Sequence, residues 1–170
     1  KENEHLQTIE LPKLQTVGSH LYMEENTVLT TINLDRLETV SGPLHIKNNP
    51  GLAGIQTSSM HTVASHIVIQ GNDTLGTLEI PTLLTIGGNC IVSGNDALST
   101  MSLVNLTAVA GDFLVVQNSA LTTLDVQGLQ QIVGDVLVHH CPALQSLDMP
   151  SLSDAGKEIY IYENDLLQSI

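Results

Sequence analysis

The chain has 170 residues, of which 42% are hydrophobic but only 2% aromatic, and its 18 acidic against 5 basic residues give a formal net charge of −13. This charge argues against nucleic-acid binding, which needs clustered Lys and Arg to contact phosphates, and against attraction to anionic membrane surfaces. We also expect no direct membrane insertion, because no apolar run approaches the roughly 20 residues of a transmembrane helix.

An internal repeat of 23 residues runs through the chain without an insertion. Its clearest copies begin at Leu44, Ile67 and Cys90, with the sequences LHIKNNPGL, IVIQGNDTL and CIVSGNDAL. Numbered from these residues as position 1, coils begin at residues 21, 44, 67, 90, 113, 136 and 159, after a partial coil. A unit this short cannot cover its own apolar face, so it must be stabilised by stacking on its neighbours. We therefore expect one repeat domain over residues 1–170 and, because residue 1 is not Met, a piece of a longer chain.

Apolar and polar residues alternate at two places in each coil, around positions 1 and 3 and around positions 12 and 14. In the coil that begins at Ile67, the apolar residues of these two places are Ile67, Ile69, Leu78 and Ile80. This is the period of a strand with one buried face, and no stretch carries helical periodicity of useful length. We therefore predict an all-β fold, a right-handed β-solenoid in which 23-residue leucine-rich coils stack their strands into parallel sheets.

Position 6 holds Asn in every coil from residue 26 to residue 164 except one, where it holds Cys141. An Asn side chain can bond the turn backbone of the neighbouring coil, so this column predicts an asparagine ladder along the stack. We interpret Cys141 as a small, weakly hydrogen-bonding substitute. Cys90 lies in a different column two coils away, so we expect two buried free thiols rather than a disulfide.

The segment Val104–Asn118, VNLTAVAGDFLVVQN, is similar to the receptor L-domain signature, in which N-L-x-x-I-x-G is followed by L-x-I-x-x-N-x-x-L. The resemblance covers the whole chain. It implies a leucine-rich β-helical recognition lobe of the kind found in the insulin and epidermal growth factor receptors, in fungal GPI-anchored cell-wall proteins and in microbial surface proteins. The matching residues are core and ladder positions, so they indicate an architecture rather than one activity.

What the resemblance implies is a location outside the cell or at the cell surface and a role in recognition or adhesion. The metazoan receptor domains carry further cysteines and capping elements that this chain lacks. We therefore expect a microbial or protist surface protein rather than a growth-factor receptor.

The outward positions 2 and 4 of the first strand carry an unusual set of side chains. They form an apolar stripe edged by aromatic rings, and all three tyrosines of the chain are among them. An exposed apolar stripe with aromatic edges is typical of a protein interface, and we predict that it binds a protein or glycan partner. The predicted partner-binding residues are Tyr22, His45, Val68, Ile91, Leu114, Val116, Leu137, Tyr160 and Tyr162.

Two alternatives stay open at this point. Position 11 forms an outward rank of threonines, as in ice-binding solenoids, comprising Thr8, Thr31, Thr77, Thr100 and Thr123. The neighbouring position 13 carries charged residues such as Glu79 and Asp125, which oppose an ice-like lattice. A structural role in a filament or cell wall is the other alternative, because open solenoid ends favour end-to-end self-association.

Catalysis and metal binding receive no support from the sequence. There is no nucleophile elbow, phosphate loop or isolated carboxylate pair outside the repeat, so we expect no enzyme activity and no cofactor. Asp73, Asp96 and Asp165 follow the ladder column as turn residues, and His139-His140 lacks the spaced partners of a zinc site, so we expect no metal. Asn105 begins the sequon Asn105-Leu-Thr and is the glycosylation candidate.

Overall fold

The computed structural model describes residues 3–170 and shows an all-β fold of twenty short strands with no helix in that range. The strands pair in parallel with their equivalents one repeat away, such as Ile67 with Cys90 and Cys90 with Phe113. They stack as a β-solenoid of seven coils, so the repeat length and the strand periodicity predicted the architecture. Within the described residues there is no helix long and apolar enough to cross a membrane.

The first strand of each coil belongs to one continuous sheet, which we call sheet 1. Its seven four-residue strands are β3 (Leu21–Glu24), β6 (Leu44–Lys47), β9 (Ile67–Gln70), β12 (Cys90–Ser93), β15 (Phe113–Val116), β18 (Val136–His139) and β20 (Ile159–Tyr162).

The second strands form two separate sheets, and the third strands form one continuous sheet. Sheet 2a comprises β1 (Thr8–Glu10), β4 (Thr31–Asn33) and β7 (Gly54–Gln56), and sheet 2b comprises β10 (Thr77–Glu79), β13 (Thr100–Ser102) and β16 (Thr123–Asp125). Sheet 3 comprises the two-residue strands β2 (Thr16–Val17), β5 (Thr39–Val40), β8 (Thr62–Val63), β11 (Thr85–Ile86), β14 (Ala108–Val109), β17 (Gln131–Ile132) and β19 (Asp154–Ala155).

The core lies between these sheets and is filled almost entirely by aliphatic side chains. The position 9 leucines, for example Leu52, Leu75 and Leu98, have no exposed surface. Along the strands of sheet 1, buried side chains at positions 1 and 3 alternate with more exposed ones at positions 2 and 4, as expected when one face of a sheet packs on a core. Phe113 fills the core of its coil with no exposed surface.

The predicted asparagine ladder is present at position 6. The backbone N–H and side-chain amide of Asn95 both donate to Oδ1 of Asn118 in the following coil, at 3.1 and 3.3 Å. The same amide donates to the carbonyl of Ile69 in the preceding coil at 3.0 Å. The ladder residues Asn49, Asn72, Asn95 and Asn118 are fully buried, so these bonds satisfy polar groups that water cannot reach.

Cys141 interrupts this ladder. Its backbone N–H keeps the ladder bond to Oδ1 of Asn164, at 3.0 Å, but its thiol lies 3.8 Å from the carbonyl of Val115. The sulfur replaces an amide that would donate and accept more strongly. The turn at Asn118, whose neighbour in the following coil is Cys141, therefore has a weaker hydrogen-bond partner than the turns of the other coils.

A second ladder runs along position 23, the residue before each strand of sheet 1, and the sequence analysis missed it. The backbone N–H groups of Asn89, Asp112 and Asp135 donate to the position 23 side chain of the preceding coil, which is His66, Asn89 and Asp112 respectively, at 2.8 to 3.0 Å. Glu158 continues the series by donating to Asp135 at 3.0 Å. In the asparagine ladder the backbone donors point to the following coil, so the two ladders run in opposite directions.

The glycines at position 22 make room for this second ladder. A Cβ atom at Gly134 would overlap Oδ1 of Asp112 and lie 2.7 Å from the backbone nitrogen of the same residue. At Gly111 a Cβ atom would overlap Oδ1 of Asn89 in the same way. Gly111 and Gly134 therefore fit the close approach of the neighbouring coil, whereas Lys157 occupies the same position beside the rung between Glu158 and Asp135.

Position 5, the residue before each ladder asparagine, has a left-handed backbone in all seven coils, with φ between 53° and 65°. Glycine, which adopts this conformation without strain, occupies only two of these positions, Gly71 and Gly94. The others are Glu25, Asn48, Gln117, His140 and Glu163. The ladder bonds that follow hold this sharp turn, and the turn places these side chains at the edge of sheet 1.

Sheet 2 is divided between β7 and β10, because these strands are not hydrogen-bonded to one another. Position 14 there holds Thr57 instead of an aliphatic residue, and its hydroxyl donates to the carbonyl of Glu79 at 3.1 Å. In the coil before, the equivalent carbonyl of Gln56 accepts the backbone N–H of Leu34. A side-chain bond therefore replaces a main-chain bond at this seam.

Candidate functional site

The outer face of sheet 1 carries all nine residues predicted to bind a partner. In-register pairing aligns position 2 as one column and position 4 as another, so that Ile91 lies between Val68 and Leu114. Leu137 pairs with Tyr160, and His139 pairs with Tyr162. The face is therefore an apolar strip with aromatic groups near both of its ends.

The exposure of this strip differs from the sequence expectation at one place. Val68 is only 9% exposed, because the side chains of the adjacent strands β6 and β12 flank it. Little of its surface is therefore accessible to a partner. Ile91, Leu114, Val116 and Leu137 are half-buried. Tyr22, Tyr160 and Tyr162 are 43 to 48% exposed, so the tyrosines are the most accessible of the predicted contacts.

Aromatic rings stack at the first end of the face. The ring of Tyr22 stacks with those of His20 and His45, with centroids 4.8 and 4.5 Å apart and interplanar angles of 28° and 19°. His45 lies on the paired strand, at a separation close to the distance between strands in a sheet, whereas His20 precedes Tyr22 by two residues in the chain. Nδ1 of His45 also lies 3.3 Å from a carboxylate oxygen of Glu24, which fixes the end of this stack.

A second aromatic cluster lies at the other end of the face. The rings of His139 and Tyr162 stack with centroids 4.4 Å apart. Nδ1 of His139 lies 2.7 Å from Nδ1 of His140, and His140 pairs with Glu163. Burial and the neighbouring His140 lower the pKa of His139, although Glu163 opposes them. The sequence did not predict this cluster, because the stack joins His139 to a residue one coil away.

Carboxylates border part of each long edge of the face. On the position 23 edge lie Asp112, Asp135 and Glu158, and on the opposite edge lie Glu163 and the turn residues that follow the ladder. Two of these turn residues, Asp96 and Asp165, line an open groove with Glu163. Asp112 and Asp135 are therefore ladder acceptors at the border of the strip, a role that charge counting alone does not reveal.

The threonine rank of the ice-binding alternative is divided by the seam in sheet 2. Thr8 and Thr31 pair with one another in sheet 2a, and Thr77, Thr100 and Thr123 pair in register in sheet 2b. Gly54 occupies the intervening place. The rank is therefore two short segments rather than one continuous lattice.

Besides Asn105, the chain has a second sequon, Asn72-Asp-Thr, and the two differ in accessibility. Asn72 is fully buried in the ladder. Asn105 is exposed, and its side-chain amide donates to the carbonyl of Pro81 at 2.7 Å. Asn105 is therefore the sequon whose acceptor nitrogen lies at the surface.

Both cysteines are free and buried, as predicted. Burial raises the pKa of Cys90 to about 12. Burial also raises the pKa of Cys141, against the opposing effect of hydrogen bonds from Asn118. Among residues 3–170 no group of three or more His, Cys, Asp or Glu side chains is placed to hold a metal ion.

We expect neither thiol to react with a maleimide in the folded protein at neutral pH, because the reactive thiolate is suppressed and shielded. Two thiols per chain should react after unfolding in urea, as counted by mass spectrometry. The variant Thr123→Cys, at an exposed site, is the positive control and should label in the native state. Native labelling of Cys90 as fast as that of the control would contradict its burial.

Comparisons of this chain with family models, curated proteins and solved structures give no match.

Proposed function

We propose that this β-solenoid is a non-enzymatic extracellular recognition or adhesion module of the receptor L-domain type, which binds a protein or glycan partner through the outer face of sheet 1. The observation that carries this proposal is the concentration of all three tyrosines and of Ile91 and Leu114 on one face of the widest sheet. Tyrosine is enriched in interfaces because it has an apolar body and a polar tip.

The alternation of buried and exposed side chains along the strands of sheet 1 supports this choice of face. The inner side chains pack in the core, and β propensity alone explains single aliphatic residues on the outer face. It does not explain an outer strip that excludes charge over successive coils, from Val68 through Leu137 in column 2. Contiguous apolar surface of this kind marks interaction sites on proteins in solution.

The test is a screen of extracellular-protein and glycan arrays with the wild type and the double variant Ile91→Lys/Leu114→Lys. We expect specific ligands of the wild type to lose binding to this variant by at least about tenfold, because two charges would be buried in the interface. The matched control, Thr77→Lys/Thr100→Lys, adds the same charges on sheet 2b and should bind normally. Circular dichroism checks that both variants remain folded. Equal binding of both variants to every ligand would overturn the site.

An ice-binding or structural function is the second candidate, supported by the in-register threonines of sheet 2b. The same variant, Thr77→Lys/Thr100→Lys, tests it through thermal hysteresis and ice-crystal shape. Ice activity in the wild type that this variant abolishes would favour the second candidate over the first.

A further inference from the structure

The border of the sheet 1 face is acidic beside β15, β18 and β20, whereas the centre of the face is apolar. Asp112, Asp135 and Glu158 follow one long edge in successive coils. Among the described residues of sheet 1 and its bordering turns, the cations are Lys47 and Lys157. A strip of aliphatic side chains is therefore framed by negative charge, within a chain whose net charge is −13.

The second ladder does not itself require these charges. Asn89 accepts the backbone N–H of Asp112 through a neutral amide oxygen, at 3.0 Å. Asp112 and Asp135 accept equivalent bonds through carboxylate oxygens at 2.9 and 3.0 Å. Since an amide and a carboxylate make the same rung at the same spacing, the negative charge on Asp112 and Asp135 is available for a partner.

The aliphatic centre of the strip favours a protein over a sugar. Tyr22 stacks with two histidine rings and Tyr162 with His139, so neighbouring rings already cover part of their surface. Between these stacks the strip is aliphatic, with Ile91 paired to Leu114. Aliphatic side chains offer no hydrogen bonds to sugar hydroxyls, whereas they suit the apolar side chains of a polypeptide.

We infer that the partner of the sheet 1 face is a protein segment with an apolar centre flanked by Lys or Arg side chains. This inference rests on the proposed function and specifies its ligand. Complementary charge at the rim of an apolar interface speeds association and selects among partners. A second copy of this chain would bring like charges together along both edges, and an anionic lipid surface would be repelled in the same way.

The probes for the test are three synthetic peptides. The leucine/lysine peptide has a leucine core flanked by lysines, the leucine/glutamate peptide a leucine core flanked by glutamates, and the serine/lysine peptide a serine core flanked by lysines. Binding of the labelled peptides is measured by fluorescence anisotropy at low and at physiological salt. We expect the leucine/lysine peptide to bind at least about tenfold more tightly than either of the others. Its affinity should fall as salt rises, because exposed charges are screened.

Two charge variants locate the interaction. Asp112→Asn/Asp135→Asn keeps the ladder acceptors, as Asn89 shows, and removes two charges from the edge of the face. We expect it to weaken leucine/lysine binding about fivefold, which corresponds to two exposed ion pairs, and to flatten the salt dependence. Asp125→Asn/Asp148→Asn is the matched control on the side of sheet 2b and should leave the affinity unchanged. Thermal melting confirms that both variants are folded.

The results that would overturn the inferred partner chemistry differ from those that would overturn the proposed function in the array screen. Equal affinity for the leucine/glutamate and leucine/lysine peptides would overturn the inferred partner chemistry, while recognition through the apolar strip would stand. Equal loss of binding in the two charge variants would show that binding depends on the net charge of the protein and not on the edge of sheet 1, and it would overturn the inference. Binding of no peptide would overturn it as well, and the array screen with Ile91→Lys/Leu114→Lys would then decide the proposed function separately.

Discussion

Replacing Asn95 with alanine should lower the free energy of unfolding by about 4 kcal/mol, because two or more buried polar groups lose their partners at about 1–3 kcal/mol each. The side chain of Asn95 accepts the backbone N–H of Asn72 at 3.0 Å and donates to the carbonyl of Ile69 at 3.0 Å. Alanine can do neither, and water cannot reach the site because Asn95 has no exposed surface. Urea unfolding monitored by circular dichroism measures the loss.

Two further variants make this test specific. Asn105→Ala removes the same side chain at an exposed position and should cost less than about 1 kcal/mol. Cys141→Asn completes the interrupted ladder by giving Val115 an amide donor and Asn118 an oxygen acceptor, and we expect it to gain about 1 kcal/mol. Equal losses in Asn95→Ala and Asn105→Ala would show that the ladder does not stabilise the stack.

Replacing Gly134 with alanine should destabilise the protein by about 2 kcal/mol, from overpacking against the neighbouring coil. The added methyl group would overlap Oδ1 of Asp112, and that oxygen holds the backbone N–H of Asp135 at 2.9 Å. The neighbouring atoms include the backbone nitrogen of Asp112 and the carbonyl carbon of Gly111, which cannot turn away as a flexible side chain would. Chemical denaturation of the purified variant gives the loss.

The matched control is Gly76→Ala. A Cβ atom at Gly76 meets no other atom within 4 Å, and we expect a change within about 0.5 kcal/mol. A repeat array is held by contacts between neighbouring coils, so Gly134→Ala should also broaden the unfolding transition by uncoupling the coils on its two sides. A sharp transition at the wild-type denaturant concentration would contradict the steric role of Gly134.

The features that the sequence predicted are those that depend on one residue type recurring in one column. The aliphatic columns and the position 6 asparagines gave the coil length, the parallel stacking, the ladder and the burial of Cys90 and Cys141, because each of these follows from a single position repeated along a stack. The outward placement of Tyr22 and Ile91 followed from the same alternation.

The features that it missed depend on pairs of columns or on one exceptional residue. The second ladder mixes His66, Asn89 and Asp112, each of which offers a side-chain hydrogen-bond acceptor although the residue types differ. The burial of Val68 depends on side chains of two neighbouring strands. The division of sheet 2 occurs where Thr57 and Gly54 replace the usual residues of their columns, and periodicity treats both as small residues.

The seam at Thr57 gives the rod unequal stiffness in different directions. Sheets 1 and 3 continue past this level without a break, whereas β7 and β10 are joined by no main-chain bond. We therefore expect the solenoid to bend most readily at this level, which would change the curvature of sheet 1 between His45 and Val68. A partner bound to Tyr22 on one side of this level and to Ile91 on the other would then favour one curvature of the solenoid.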